Sequence, residues 1–318
     1  MSTGTASSSQ LRQISKLWFA SEMVVIKAGD CVFRVLAATL KRKSSVFADM
    51  FALAQPSSPQ NETMDGVPLV TVYDDPVEME VFLQAIYDSD FFMPPPAETT
   101  FEECLGILRL AHKYDVPYLR RRALQHLQSM LPTSVAELDR RDQPGRRNLE
   151  NLVATISIAT EVGAQWLLPM AYFLLHAKYK LSFIIKQPQW LALGDEQRTA
   201  SICGPAELSQ QAHKVFSFLS VAKTPGDEEC ADSKECNRSR LSTAKRLNPW
   251  ISAHMNSALY AFPAKSWSTI SLCESCLEEA KNLHAAAKQE CWGQIPMIFG
   301  LPPWDELEKM RSEALSQP

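Results

Sequence analysis

The sequence predicts an α+β fold in which short β-strands pack with helices, followed by an all-α extension. Three observations predict it. Two short β-branched and aromatic runs flank a Gly-Asp turn near the start of the patterned chain. Helical spacing takes over directly after them, and beyond Pro132 no further strand-like run occurs.

The first 13 residues are polar and rich in Ser and Thr, with neither the apolar stretch of a secretory signal nor the Arg-rich pattern of a transit peptide. Residues 1–16 therefore read as a disordered tail. MVVIK and CVFRV, separated by Gly29-Asp30, predict a hairpin. Leu36 and Leu40, then Val46, Phe47, Met50 and Phe51 behind Ser44-Ser45, predict two short helices. Gln55 to Pro68, rich in Pro, Ser, Asn and Gly, predicts an exposed loop, and PLVTVYD one more buried strand. Asp75-Pro76 opens a helix with Val77, Val81, Phe82, Ala85 and Ile86 on its apolar face, which ends before Pro94-Pro95-Pro96. Phe101, Leu105, Leu108 and His112 mark the next helical stripe; Leu119, Ala123, Leu127 and Met130 mark another after Pro117.

These elements make residues 17–131 one expected domain. Amphipathic stretches at 148–163, 166–179 and roughly 206–221 make residues 132–222 an all-helical extension. Residues 223–246 turn to Lys, Asp, Glu, Ser, Asn and Arg and read as a flexible linker. Residues 247–318 return to helical character, with Pro302-Pro303 starting a terminal helix at Trp304.

Composition narrows the function. At 318 residues, 46% of them hydrophobic, the chain is long enough for a sizeable core. Its 32 basic and 36 acidic residues leave a formal charge of −4, so no global field draws it to nucleic acid or to an anionic membrane. WLLPMAYFLL, residues 166–175, is far shorter than the roughly 20 residues of a membrane span and belongs in a core. Eight cysteines are too sparse for a disulfide scaffold, so the thiols are expected reduced, in the cytoplasm or nucleus, and the sequons at Asn61 and Asn237 unglycosylated. No phosphate-loop, zinc-protease or nucleophile-elbow string occurs. The expectation is a non-enzymatic protein without a cofactor.

Three stretches carry a family resemblance. FRVLAATLKRKSSVFADMF (Phe33–Phe51), VEMEVFLQAIYDSD (Val77–Asp90) and LRLAHKYDVPYLRRRALQHL (Leu108–Leu127) resemble, in this order and spacing, the BTB/POZ domain. The likeness is to the divergent type found in higher fungi, whose endings LPPWDEL (Leu301–Leu307) also resembles. It implies a protein–protein interaction module: an adaptor or scaffold, self-associating as a homodimer, or recruiting substrates to a cullin scaffold of a ubiquitin ligase. Met23 and Leu36 stand where many members carry a buried Asp and a polar residue, so the charge pairing of the family's dimer pocket is absent here. An apolar replacement of a buried ion pair is often neutral for the fold. Leu17, Trp18, Phe19, Leu36 and Leu40 are the candidate protein-interface residues, the alternative being that they close the domain's own core.

Two other features invite chemistry. Lys113 and Arg120-Arg121-Arg122 form a basic run, read here as the outer face of a helix whose inner face is Leu119, Ala123 and Leu127. Cys273-x-x-Cys276 has the spacing of half a tetrahedral thiolate site, and a metal- or redox-dependent protein using these C-terminal cysteines is the competing class. Cys230 and Cys236 are candidates to complete it, but five residues separate them and they fall in the expected linker. His284 would lie about 12 Å beyond Cys276 along a straight helix, too far to share one zinc. The preferred reading places Cys273, Cys276, Ala280, His284, Ala287 and Cys291 on a small-residue face packed against a neighbouring helix.

Overall fold

The computed structural model describes residues 22–53, 62–140, 148–224, 230–253, 255–260 and 264–316. They divide into two compact units: one runs up to Phe92 and includes Leu110–Val116, and the other comprises Met93–Arg109 and the chain from Pro117 onward.

In the first unit, β1 (Met23–Ala28) and β2 (Cys31–Leu36) form the expected hairpin, with Gly29 at φ +56° in its two-residue turn. The register sets Met23 opposite Leu36 and Lys27 opposite Val32. Because side chains alternate across a strand, Val24, Ile26 and Ala28 share one face and are buried. A second hairpin joins β3 (Thr63–Met64) to β4 (Val67–Val72), and β4 pairs in parallel with β1, giving the order β2-β1-β4-β3. This hairpin corrects the expected loop over 55–68 for its described residues. Asp65 and Gly66 both adopt positive φ, as a tight two-residue hairpin turn requires.

Helices α1 (Ala37–Lys43) and α2 (Ser45–Leu53) follow β2 and are separated at Ser44, which leaves helical geometry at φ −136°. The buried Ser44 hydroxyl accepts from the Phe47 N–H at 2.9 Å and donates to the Tyr114 carbonyl at 2.5 Å. One side chain thus stops α1, caps α2 and ties both to Tyr114. Asp75 caps α3 (Pro76–Tyr87) by accepting from the Val77 and Glu78 N–H groups, with Pro76 at the first helical position.

The Ala-x-Lys-Tyr passage has a physical reason. α4 (Phe101–Lys113) ends in a turn in which Asp115 takes φ +51° and the Val116 N–H reaches back to the Ala111 carbonyl at 2.8 Å. That turn sets Tyr114 against Phe47, their rings stacked at 4.4 Å and 7°, with Phe82 5.8 Å away. The Tyr114 hydroxyl donates to Asp74, and Lys113 pairs with the same carboxylate at 2.5 Å. Burial, followed by the hydrogen bond to Asp74, pushes the Tyr114 phenol up.

The second unit is helical. Thr100 and Glu103 form a reciprocal capping box at the start of α4, and the backbone N–H of Thr100 holds the Glu103 carboxyl below its ordinary range. α5 (Pro117–Met130) and α6 (Val135–Arg140) precede α7 (Leu149–Glu161), which Asn148 caps. α8 (Leu168–Lys178) is buried from Leu168 through His176, so the 166–175 stretch lies in a core as its composition requires. Short helices α9 (Leu181–Ile184) and α10 (Pro188–Leu191) lead to α11 (Asp195–Val215). α11 packs along α13 (Glu274–Ile298), and where Gly204 meets Phe299 a Cβ would sit 2.2 Å from the ring, so the approach depends on glycine. The terminal helix α14 (Trp304–Ser316) begins at Trp304 as expected, stacking that ring on Trp292 at 5.2 Å.

The expected linker over 223–246 needs correction, since Ser233–Ala253 is helix α12. Its buried stripe is Cys236, Arg240 and Thr243. Spacings of four and three place these on one face. Leu247, half-buried, is the one described Leu that continues this stripe, so a reading by hydropathy over 223–246 sees mostly polar sequence.

Candidate functional site

Two places in the molecule gather side chains with unfinished business. The first is the free side of β2. Among the described residues β2 is an edge strand of the sheet, and its outward residues Val32, Arg34 and Leu36 are exposed, Val32 by 47% and Leu36 by 43%. Edge strands carry a row of backbone groups open to pairing, and apolar side chains there invite a partner. The corner is rigid. The Tyr87 hydroxyl donates to the Leu36 carbonyl at 2.6 Å, the Ala37 N–H to the Glu22 carbonyl at 2.9 Å, and Lys41 pairs with Glu22 at 2.9 Å.

Of the two candidate interface residues that are described, Leu36 lies on this surface. Leu40 is 0% exposed in the core beneath α1, because it falls one helical turn beyond the strand end and points inward. Its assignment to an interface is therefore corrected to a core role. Leu17, Trp18 and Phe19 lie outside the described residues.

The second place is a cluster of four cysteines. Cys273 is the residue immediately before α13 and Cys276 sits in its first turn; Cys236 is in the first turn of α12, and Cys230 lies just ahead of it. Their four Sγ atoms all fall within 4.8 Å of one another. Cys230 Sγ is 3.4 Å from Cys276 Sγ and 4.0 Å from Cys273 Sγ, and the Cys273 N–H donates to Cys236 Sγ at 3.5 Å. The Cys276 N–H, with that of Ala231, holds the Cys273 thiol down to about 6, while burial pushes Cys276 up to about 12. The preferred small-residue reading of α13 is thus corrected at its first turn. Cys276, Ala280, His284 and Cys291 are buried along one stripe, yet Cys273 and Cys276 face Cys230 and Cys236. The signal was present in the sequence, but α12 hid it.

The arginine run forms no open cationic patch. Arg120 donates to the Val162 carbonyl at 2.9 Å and Arg122 lies over the Tyr118 ring at 5.4 Å.

Compared with protein families, the chain matches the sequence model of the BTB/POZ domain over residues 22–131. Residues 22–131 are a BTB/POZ domain. The match supports a protein–protein interaction module, and the structure shows a short-strand sheet packed with helices followed by a helical C-terminal region. No curated protein matches the chain. Within the BTB/POZ domain the resemblance noted from three stretches now has a structural account. Phe33–Phe51 supplies β2, α1 and α2; Val77–Asp90 supplies α3; and Leu108–Leu127 supplies the Tyr114 turn and most of α5. Among the described residues no helix is long and apolar enough to cross a membrane.

Proposed function

We propose that the protein is a self-associating scaffold whose BTB/POZ domains meet through the free edge of β2, leaving the helical extension over 132–222 to present partners. The observation that carries this reading is the edge strand itself, with Val32 and Leu36 exposed on a corner held rigid by Tyr87 and Glu22. Met23, opposite Leu36 in the register, extends the apolar surface in place of a charge pair, so association through it needs no buried ions.

Full burial of a Val or Leu side chain stabilises by about 1.5–3 kcal/mol, so covering the exposed half of each contributes about 1 kcal/mol. A two-fold contact uses both residues from both copies, giving roughly 4 kcal/mol, about a thousandfold in a dimer dissociation constant.

The experiment is solution mass by light scattering across a concentration range, for the full chain and for a Val32→Asp, Leu36→Asp double variant. A dimer that becomes a folded monomer in the variant supports the reading. A wild type that stays monomeric at high concentration refutes it and favours a single-copy adaptor bridging substrates to a cullin scaffold. Leu40 is left intact in this design, since an Asp in the core would unfold the domain.

A further inference from the structure

We propose that Cys230, Cys236, Cys273 and Cys276 bind one Zn²⁺ ion in a closed, structural tetrathiolate site that fixes the start of α12 to the start of α13. Zn–S bonds of about 2.3 Å in a tetrahedron require ligand sulfurs about 3.8 Å apart. The separations of 3.4 and 4.0 Å bracket that value, and all four sulfurs lie within 4.8 Å of each other. The 3.4 Å between Cys230 and Cys276 is far beyond the roughly 2.05 Å of a disulfide, and all four cysteines are free.

The local architecture suits a metal better than a packed core. Cys273-x-x-Cys276 at a helix start lets two sulfurs converge from one turn, and the second pair comes from the corresponding end of α12. The Cys273 N–H donating to Cys236 Sγ is the sort of outer hydrogen bond that orients a ligand sulfur. Charge is also compensated. Four thiolates around Zn²⁺ carry a net −2, and Arg240, 2% exposed on α12, reaches the Cys276 carbonyl at 3.4 Å. Lys223 and Arg240 share Glu279 as their carboxylate, so these three groups carry one net positive charge and the compensation is partial.

The site also explains how α12 is held. Its fully buried stripe of Cys236, Arg240 and Thr243, continued by a half-buried Leu247, offers little apolar area, so hydrophobic burial alone gives it weak anchorage. A metal bond set supplies the missing cross-link. On binding, all four sulfurs coordinate as thiolates, those still protonated release their protons to solvent, and four Zn–S bonds form with no change in oxidation state. Four cysteine ligands leave no open coordination position, so the ion's role is structural.

The test uses the full chain purified without chelators. Elemental analysis should find about one zinc per chain. Growth in cobalt-supplemented medium should give the visible bands and near-ultraviolet thiolate charge transfer of a tetrahedral four-sulfur cobalt(II) centre. Cys230→Ser, at a half-buried position ahead of α12, should weaken zinc binding more than about a hundredfold, beyond the usual effect of an outer partner. Cys203→Ser, an exposed cysteine outside the cluster, should change nothing. A folded wild-type chain that takes up neither zinc nor cobalt, its four thiols free or joined as disulfides, would overturn the proposal.

Discussion

Glu279→Ala is the substitution we expect to be most damaging among surface-accessible positions of the C-terminal helices. Arg240 is almost wholly buried and sends Nη1 to the Phe218 carbonyl at 2.6 Å and Nη2 to Glu279 at 2.8 Å. Glu279 also pairs with Lys223, so its loss removes the carboxylate that two largely buried cations share. Removing one partner of a buried pair costs about 3–5 kcal/mol; Glu279 is about one-third exposed, and discounting for solvent screening brings the expectation to about 2–3 kcal/mol. Arg240→Met removes the buried charge together with its desolvation penalty and leaves mainly the Phe218 carbonyl unsatisfied, a cost of about 1–2 kcal/mol. The double variant should therefore be less damaged than the sum of the singles by at least about 1 kcal/mol. Urea unfolding with a constant slope measures all three. A Glu279→Ala midpoint equal to wild type, or strict additivity in the cycle, would refute the argument that the carboxylate neutralises Arg240.

Ser44→Ala should cost about 1–2 kcal/mol by removing the α2 cap and the link to the Tyr114 carbonyl, read as a lower thermal midpoint of the full chain. Ser44→Thr, which keeps the hydroxyl, should recover part of it. His176 is buried against the Phe299 ring with Nε2 3.0 Å from Ser201 Oγ, and burial holds it down to about 4. The unfolded chain then binds a proton that the folded chain refuses, so this histidine's share of stability is whole above about pH 6.5 and is lost as pH falls towards 4. The loss amounts to about 3 kcal/mol. Subtracting the pH–stability curve of His176→Gln from that of wild type should expose this slope; parallel curves between pH 4 and 6.5 would contradict it.

What the sequence disclosed and what it concealed follow from how each element is held. The β1–β2 hairpin, α3 and α7 are built on apolar periodicity, the two helices with side-chain caps, and α8 on an unbroken apolar run, and these are legible because hydropathy itself stabilises them. The β3–β4 hairpin was masked by Pro, Ser and Asn in its surroundings, although Asp65-Gly66 is a strong local turn signal. α12 escaped because the fully buried positions of its inward face within 233–246 are Cys, Arg and Thr, whose burial depends on hydrogen bonds and on the cysteine cluster. The same concealment separated Cys230 and Cys236 from the Cys273-x-x-Cys276 pair. Spacing along the chain was a poor guide, since the convergence is made by two helix starts and not by one loop. Leu36 and Leu40 share an apolar character but not a fate: the strand end turns one outward, and the first turns of α1 carry the other into the core.

The measurement closest to the central claim is amide hydrogen exchange across Cys31–Leu36 in the full chain, read at low and high protein concentration. Self-association through the β2 edge predicts that exchange in this strand slows as concentration rises, while the buried strand β1 stays protected throughout. Identical β2 exchange at both concentrations, in a sample whose mass doubles between them, would contradict the account by placing the contact elsewhere.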